Sequence, residues 1–398
     1  MPKRRKIAIF TGNRAEYGLQ YPIIKAISES RMLKYFLLVS GAHLDEKFGY
    51  TKKEIEKDGF KVYAEIKAEV KADSLFSTTQ AIGNIIINLS RVLRRINPDF
   101  LVVYADRFEG LAAVVTGSQM GIPVAHVEGG DVTSGGALDD YVRHAMTKLS
   151  HIHFTTNQEA AQRIARLGEE KWRIFNVGFS VVDLIKSGKF ASYAEVCEKI
   201  GFKLDLSKPV ILFTQHSITT ELKNISSQIN PSLGALKYFA AKGVQIIITY
   251  PNNDAGGRRI IEILQRLGRK KIININIFPH LGRYYYHGLL NICGKETLGV
   301  CVGNSSSGIK ETPALSCPFV NIGTRQKERL RSINVIDTRY DTNEIIHAIN
   351  KSLFNKDFRE SCRRCRNPYG EGGTGRKIEK VLASLAINKK LIQKKITY

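Results

Sequence analysis

Long apolar runs are missing from this sequence. No stretch reaches the roughly 18 consecutive apolar residues that a membrane-spanning helix needs, so we expect no membrane span. The basic N-terminus, residues 1–6, leads into an apolar run of only a strand's length, which does not suit a signal peptide. Short-period repeats and low-complexity segments are also absent. These absences predict a globular cytoplasmic protein without a membrane partner.

Acidic residues are scarce: 37 stand against 60 lysines and arginines, which gives a formal net charge of +23. Such an excess can indicate a protein that binds nucleic acid or a membrane surface. Here the basic residues are spread along the chain and are not densely interleaved with aromatic ones, so we predict no nucleic-acid partner. The basic segment 388–395 is interpreted as a frayed helix end. A basic field would still help to capture an anionic substrate.

Cysteine is also sparse, with six in 398 residues. Cys362 and Cys365 lie two residues apart, but a zinc site needs a second pair and a redox site needs a thioredoxin-like setting. His151 and His153 would share one face of a strand but have no third ligand nearby. We interpret both pairs as structural, and the sequence predicts no metal, no cofactor and a reducing compartment.

The chain is too long for one ordinary core, so two domains are expected. Short apolar strands alternate with helices throughout, which predicts an α/β fold of two Rossmann-like halves. We place the N-terminal domain at 1–180 and the C-terminal domain at 205–370. Residues 371–398 form the final helical segment.

The stretch from Phe100 to His144 organises the N-terminal half. Leu101–Tyr104 and Pro123–Val127 suit buried parallel strands, and the residues between them have helical spacing. Asp106 and Glu128 each follow one strand directly. Ligands bind beyond the carboxyl ends of such strands, so these two carboxylates are expected at one crevice. Further polar residues follow in the sequence, namely Asp131, Asp139, Asp140, Arg143 and His144.

Anion-binding features appear near both ends of the chain. Arg14 follows the first strand at a helix N-terminus, where backbone N–H groups favour an anion. The segment Gly303–Gly308 follows a strand and opens a helix, and its serines can hold a diphosphate. Glu311, one turn into that helix, could accept hydrogen bonds from ribose hydroxyls. A serine-rich cap followed by an early glutamate is the equally weighted structural alternative.

Other strands of the C-terminal half also end in polar groups. His216 ends one strand, Asn252 follows the next, and Arg325 comes just after a later one. Their convergence at the carboxyl ends of parallel strands indicates a polar ligand site more strongly than any single motif does.

These residues together resemble the hydrolysing UDP-N-acetylglucosamine 2-epimerases of bacterial sialic-acid and related pathways. The resemblance covers nearly the whole chain, from residue 11 to residue 372. Its most specific segments are Ala105–Glu109, His126–Asp131, Asp139–His144, Gly303–Glu311 and Asn321–Gln326. It implies the glycosyltransferase-B architecture, in which two Rossmann-like domains face each other across a cleft. It also implies a dimer or tetramer without a metal, whose final helix returns to the N-terminal domain.

By this resemblance the enzyme would convert UDP-N-acetylglucosamine and water to N-acetylmannosamine and UDP. The family's route removes UDP from C1 and the proton from C2, forming a 2-acetamidoglucal, to which water then adds. The implied catalytic residues are Asp106, Glu128, Asp139 and His216, the last as a cation that helps UDP to leave. The implied UDP-sugar contacts are Arg14, Arg107, Asn252, Ser305, Ser306, Glu311 and Arg325.

Three departures from the family pattern leave alternatives open. The segment after Glu128 looks longer than in some members, so Asp140 competes with Asp139 for the catalytic position. Ser180 stands where the family often has proline. Close relatives act on UDP-N,N′-diacetylbacillosamine, and the general motifs do not separate this substrate from UDP-N-acetylglucosamine, which we place first.

Other functions remain alternatives. A UDP-sugar glycosyltransferase would share the UDP half, but sugar transfer needs no acid–base chemistry at C2, so the three carboxylates argue against it. A non-hydrolysing epimerase would return a UDP-linked product. An inactive UDP-sugar sensor would not need the carboxylates.

Overall fold

The structure is a computed structural model that describes residues 4–46, 50–69, 74–132, 138–218, 221–252 and 256–398. The chain divides into two compact units. Unit 1 takes its described residues from Met1–Val132, Leu138–Asp183 and Gly372–Tyr398, and unit 2 takes them from Leu184–Glu371. Each unit contains one parallel β-sheet with helices on its faces, as the alternation of strands and helices predicted.

Unit 1 contains a seven-stranded sheet in the order β3-β2-β1-β4-β5-β6-β7. The sheet order changes direction between β1 and β4, which is where α/β folds bind ligands. The strands are β1 (Arg5–Thr11), β2 (Leu33–Ser40), β3 (Val62–Ile66), β4 (Phe100–Tyr104), β5 (Val124–Val127), β6 (Ile152–Thr155) and β7 (Ile174–Asn176). The helices are α1 (Arg14–Glu29), α2 (Lys52–Lys57), α3 (Leu75–Ile96), α4 (Phe108–Gln119), α5 (Leu138–Leu149), α6 (Gln158–Arg166) and α7 (Val181–Lys186), the last of which ends in unit 2.

Side chains alternate between two cores along β1. Ile7 and Ile9 join a cluster with residues of α1, whereas Ala8 and Phe10 join a cluster with residues of α3 and α4. This two-sided burial explains why the strand is a continuous apolar run. Polar residues are therefore displaced to the strand ends, where the candidate site lies.

Unit 2 contains a six-stranded sheet in the order β10-β9-β8-β11-β12-β13, with the change of direction between β8 and β11. The strands are β8 (Val210–Thr214), β9 (Gln245–Thr249), β10 (Ile275–Phe278), β11 (Gly299–Gly303), β12 (Phe319–Ile322) and β13 (Val335–Thr338). The helices are α8 (Tyr193–Ile200), α9 (Ile225–Ala241), α10 (Gly257–Arg269), α11 (Gly282–Asn291), α12 (Ser306–Lys310), α13 (Thr342–Phe354) and α14 (Lys356–Arg363).

The C-terminal residues return to unit 1 as α15 (Thr374–Ser384) and α16 (Lys389–Ile392). The carboxylate of Asp183 accepts hydrogen bonds from the backbone N–H groups of Thr374 and Gly375, at 3.0 and 2.9 Å, and so caps α15. At Gly375, α15 lies so close to α1 that a β-carbon there would be 2.4 Å from the carbonyl oxygen of Pro22.

The tail beyond α15 is fixed in place, so the interpretation as a frayed end was wrong. Leu391 is fully buried, and buried Arg173 donates to its carbonyl at 2.7 Å. Lys394 pairs with buried Glu169 at 2.7 Å. His153 also contacts Glu169, at 3.0 Å, which accounts for this histidine as a structural residue.

The helix that follows Gly303–Gly308 is short. It ends at Lys310, and a 3-10 turn follows over Thr312–Leu315. Pro313 has no N–H group and so cannot continue the helical hydrogen bonding. Residues 181–204, around the boundary between the two predicted domains, contain both α7 and α8. Within the described ranges, no helix is both long enough and apolar enough to cross a membrane.

Candidate active site

Two strand ends in unit 1 have unusual backbone conformations. Ala105, directly after β4, has φ +56°, and Glu128, directly after β5, has φ +68°. Left-handed conformations cost residues other than glycine about 1–3 kcal/mol and cluster at functional sites. The N–H of Ala105 donates to the carbonyl of Val127 at 2.9 Å, so the two turns are adjacent. The predicted carboxylates Asp106 and Glu128 therefore leave neighbouring strands through neighbouring strained turns.

Arg143 in α5 organises the acidic residues of this region. Its guanidinium, which is 4% exposed, donates to Asp106 Oδ2, to Asp140 Oδ1 at 2.7 Å and to the carbonyl of Asp131 at 2.8 Å. Burial lowers the pKa of Arg143, but the charges of Asp106 and Asp131 outweigh this and raise it overall. A permanently charged arginine thus holds Asp106. Asp140 is paired with the same arginine, whereas Asp139 is exposed in the first turn of α5.

A buried carboxyl pair lies beside these residues. Burial and the charge of Glu109 raise the pKa of Glu16, and burial is the main cause that raises the pKa of Glu109. Gln20 donates to Glu16 Oε1 at 2.6 Å, and Arg107 lies 3.5 Å from Glu109 Oε2. A carboxyl group that retains its proton near ionised carboxylates is the kind of pairing that acid–base chemistry uses.

The two predicted arginines of unit 1 are both half-exposed. Arg107 is the N-cap of α4, and Arg14 opens α1. Arg14 Nε lies 3.0 Å from Glu54 Oε2, so the guanidinium forms an ion pair with a carboxylate of the same chain. The structure therefore brings Asp106 and Glu128 to one pair of strand ends, while it leaves Arg14 in a surface ion pair.

Unit 2 contains a pocket of about 340 Å³ at the carboxyl ends of its strands. Four of the predicted residues line it, namely His216, Asn252, Ser305 and Glu311. Ser306 and Arg325 are not among the lining residues. Further lining groups that sequence reasoning did not select include Thr214, Thr249, Tyr286 and His287.

Asn304 holds one wall of the pocket together. Its side chain accepts from the N–H of His216 at 2.7 Å and donates to the carbonyl of His216 at 2.9 Å. Arg325 donates to the carbonyl of Asn304 at 3.1 Å. Asn304 directly follows β11, and this position at the end of a strand could have identified it as a site residue from the sequence.

His216 is neutral rather than cationic. Burial and, to a smaller extent, the charge of Arg325 lower its pKa to about 3. The N–H of Asn252 lies 3.0 Å from His216 Nδ1, which therefore accepts and leaves the proton on Nε2. The structure thus offers a neutral N–H donor where the sequence predicted a cation.

Packing within the protein requires both glycines of the segment Gly303–Gly308. A side chain at Gly303, which has φ +134°, would lie 1.9 Å from the carbonyl of Thr214, and one at Gly308 would lie 2.2 Å from Phe319. Glu311 directly follows the short helix α12, about one turn beyond its start, and His287 Nε2 contacts its Oε2 at 2.8 Å.

No group of three or more side chains suited to binding a metal occurs in the part of the chain that the structure describes. Cys362 and Cys365 are free thiols, and burial raises the pKa of both. Their side chains therefore stay protonated and unreactive at neutral pH.

The family model described as UDP-N-acetylglucosamine 2-epimerase matches residues 25–383. The chain belongs to this family. A Campylobacter jejuni relative named GDP/UDP-N,N′-diacetylbacillosamine 2-epimerase (hydrolyzing) is 35% identical over 90% of each chain. A Legionella pneumophila UDP-N,N′-diacetylbacillosamine 2-epimerase (hydrolyzing) is 32% identical over 98% of each chain. A Neisseria meningitidis UDP-N-acetylglucosamine 2-epimerase is 32% identical over 87% of each chain.

Solved structures support the fold. The crystal structure of the Neisseria meningitidis UDP-GlcNAc 2-epimerase bound to UDP-GlcNAc matches with a TM-score of 0.80 and 19% identity, covering 95% of this chain and 99% of that one. The predicted family, fold class and enzyme type, a hydrolysing UDP-sugar 2-epimerase, are confirmed.

Proposed function

We propose that this enzyme hydrolyses a UDP-linked 2-acetamido sugar with inversion at C2, releasing UDP and the free 2-epimer. The observation that carries the proposal is the pair of strained strand ends that present Asp106 and Glu128 side by side. The reaction needs carboxylates both for the C2 proton and for positive charge developing at C1.

The residues of unit 1 act on the sugar. In the first step the C2 proton moves to a carboxylate and the C1–O bond to UDP breaks, which leaves a 2-acetamidoglucal. In the second step water adds at C1 while a proton returns to C2 on the other face. Asp106, Glu128 and Asp139 share these roles, and the ion pair with Arg143 holds Asp106 in position. Arg14 and Arg107 contact the phosphate or the sugar through their forked donors.

The residues of unit 2 bind UDP. Ser305 and Ser306 lie at the start of α12 and hold the diphosphate, with Arg325 nearby. The neutral Nε2–H of His216 donates to the diphosphate, so that charge on the leaving group is stabilised by a hydrogen bond. Glu311 accepts from the ribose hydroxyls, and Asn252 contacts the nucleotide. This division follows the pocket, which four of these residues line.

Two sugars have equal standing as substrate. The sequence motifs placed UDP-N-acetylglucosamine first, which also stands in the name of the Neisseria meningitidis relative. The names of the relatives at 35% and 32% identity instead contain UDP-N,N′-diacetylbacillosamine, the 6-deoxy sugar with a second acetamido group at C4. The first substrate suits a sialic-acid route and the second a legionaminic-acid route. A homodimer or homotetramer and a cytoplasmic location stay predictions.

Proton NMR in D₂O with each UDP-sugar in separate tubes tests both points. The expected result is free UDP together with a free 2-epimer that carries deuterium at C2. The tube that reacts identifies the substrate. A product still linked to UDP would instead indicate a non-hydrolysing epimerase, and no reaction in either tube would overturn the proposal in favour of a transferase or a sensor.

A further inference from the structure

The segment His126–Asp131 contains a histidine that the proposed function does not use. His126 lies in β5 and is fully buried. Its Nε2 lies 2.6 Å from the carbonyl of Ala105, and its Nδ1 lies 3.1 Å from the hydroxyl of Thr147 in α5. A carbonyl can only accept, so the ring proton is on Nε2, and Nδ1 accepts from Thr147.

The charge state of the ring agrees with this arrangement. Burial lowers the pKa of His126 to about 4, so the ring is neutral at physiological pH and carries a single N–H. A neutral imidazole has two tautomers, and the hydrogen bond at one nitrogen selects the proton position at the other. The carbonyl of Ala105 therefore selects the tautomer with the proton on Nε2, and the hydroxyl of Thr147, which can donate or accept, donates to Nδ1 and holds the ring there.

Ala105 is held by β5 at both of its backbone polar groups. Its N–H donates to the carbonyl of Val127 at 2.9 Å, and its carbonyl accepts from His126. Because Ala105 has φ +56°, these two bonds maintain a strained turn that sets the direction in which the chain continues to Asp106 and Arg107. Glu128 follows His126 by two residues, so one side chain connects both carboxylate-bearing turns.

The first glycine of the segment belongs to the same arrangement. A side chain at Gly129 would lie 2.8 Å from the Thr147 hydroxyl and 2.9 Å from His126 Nδ1. Any residue other than glycine would therefore push apart His126 and Thr147, whose hydrogen bond holds the imidazole ring.

We propose that His126, held at Nδ1 by the hydroxyl of Thr147, is a positioning residue that holds the Ala105 turn and thereby places Asp106 for the reaction. The role assigned to Asp106 rests on the proposed function. His126 itself contacts the backbone and does not act on the substrate.

Three variants test this inference: His126→Gln, His126→Met and Thr147→Val. Glutamine can place an amide N–H close to the position of the histidine Nε2–H, whereas methionine has similar bulk and no donor. We expect His126→Met to lower kcat by roughly 10- to 100-fold, since displacement of a catalytic group by about 1 Å can cost a factor of about 100. UDP affinity should change much less than kcat, because the pocket residues of unit 2 are untouched and Arg107 is the one proposed UDP-sugar contact that follows the Ala105 turn. His126→Gln should recover most of kcat, and Thr147→Val should lower kcat less than His126→Met does.

Thr116→Val is the matched control. Thr116 is also buried in unit 1, and its hydroxyl donates only within α4, to the carbonyl of Ala112 at 2.7 Å. This substitution shows how much the removal of any buried hydroxyl from unit 1 changes activity, and we expect it to leave kcat unchanged. Equal kcat values for the glutamine and methionine variants would overturn the inference. If the methionine variant does not fold, Thr147→Val against Thr116→Val still decides it, since equal kcat values there would also overturn it.

Histidine ¹⁵N NMR separates a failure of this inference from a failure of the proposed function. The signal that disappears in His126→Gln belongs to His126, and it should show a proton on Nε2 that Thr147→Val disturbs. A wild-type protein without turnover on either UDP-sugar, but with this tautomer, would overturn the proposed function alone. A proton on Nδ1 would overturn the positioning role whatever the turnover.

Discussion

The two units present contrasting groups at equivalent places in their sheets. At the change of direction in unit 1, Asp106 and Glu128 leave strained turns, and Asp106 is paired with buried Arg143. At the corresponding place in unit 2, Glu311 is the one carboxylate among the described residues that line the pocket, and His287 is bonded to it. His216, beside it, is neutral.

The same type of parallel sheet thus carries groups suited to proton transfer in unit 1 and groups suited to nucleotide binding in unit 2. Carboxylates fixed in strained turns suit proton transfer, because their positions are set before the substrate binds. A pocket of neutral donors around one oriented carboxylate suits the binding of a nucleotide. Substitutions of the carboxylates in unit 1 should therefore change kcat, whereas substitutions of the pocket residues in unit 2 should change UDP affinity.

Of these substitutions, Glu128→Gln should cause the largest loss of activity. The amide keeps the size of the side chain but cannot exchange a proton, so we expect kcat to fall by roughly 10²- to 10⁴-fold. UDP affinity, measured by calorimetry, should change by less than about twofold. Loss of both activity and UDP binding would instead assign Glu128 to binding or folding.

Acid should destabilise unit 1 before unit 2. In unit 1 the pKa values of His43, His126 and His151 are lowered to about 4 by burial, whereas in unit 2 only His216 shows such a shift among the described histidines. These histidines bind protons more readily in the unfolded state, so stability is lost as pH falls from about 6.5 to about 4, by about 3 kcal/mol for each. The raised pKa values of Glu16 and Glu109 act in the opposite direction and offset part of this loss.

The single tryptophan, Trp172, makes this measurable because it lies in unit 1. Its fluorescence during urea unfolding reports unit 1, while far-ultraviolet circular dichroism reports both units. We expect the fluorescence midpoint to fall faster with acid than the dichroism midpoint, and His126→Gln to flatten its pH dependence. Midpoints that fall together would show that the units unfold as one.

Glu311→Ala should affect binding rather than chemistry. Hydrogen bonds to charged groups contribute about 1.5–3 kcal/mol, so the Kd for UDP should rise by roughly 10- to 100-fold. The matched control is Glu296→Ala, which removes an exposed carboxylate of unit 2 that is bonded by Asn291 at 2.7 Å. An unchanged Kd for Glu311→Ala would refute the ribose role.

Arg14→Gln should have the smallest effect. Arg14 is half-exposed and paired with Glu54, and exposed ion pairs contribute about 0–1 kcal/mol, so KM should rise by no more than about fivefold. Glu54→Gln is the matching variant, because it removes the ion pair and leaves the guanidinium of Arg14 available to the substrate. We expect it to lower KM or leave it unchanged. A higher KM for Glu54→Gln would show that the ion pair itself is what the enzyme needs.

Much of the fold could be predicted because its signals are local. The apolar runs at β4 and β5, with Asp106 and Glu128 directly after them, indicated a parallel sheet and its ligand-binding edge. The positions of His216 and Asn252 were found in the same way. Hydrophobic periodicity and the residues that end a strand are properties of neighbouring residues, so they can be read without knowing the tertiary contacts.

Pairing between distant residues could not be predicted. Nothing near Arg143 in the sequence shows that it binds Asp106, 37 residues away, and nothing near Glu16 shows that Glu109 lies beside it. The burial of the basic tail could not be predicted either, because it depends on contacts with the distant residues Arg173 and Glu169. Protonation states follow from such contacts, which is why the resemblance implied a cation at His216 whereas burial lowers its pKa to about 3.

Local sequence patterns were enough to predict the α/β class, the alternating strands and helices and the strand ends that carry polar groups. The strained turns at Ala105 and Glu128, the contact of His126 with Ala105 and the sharing of Arg143 by Asp106 and Asp140 became visible only in the folded chain. The physical reason is that hydrophobic patterning fixes where strands and helices form, whereas charge, strain and tautomer depend on groups that only folding brings within hydrogen-bonding distance.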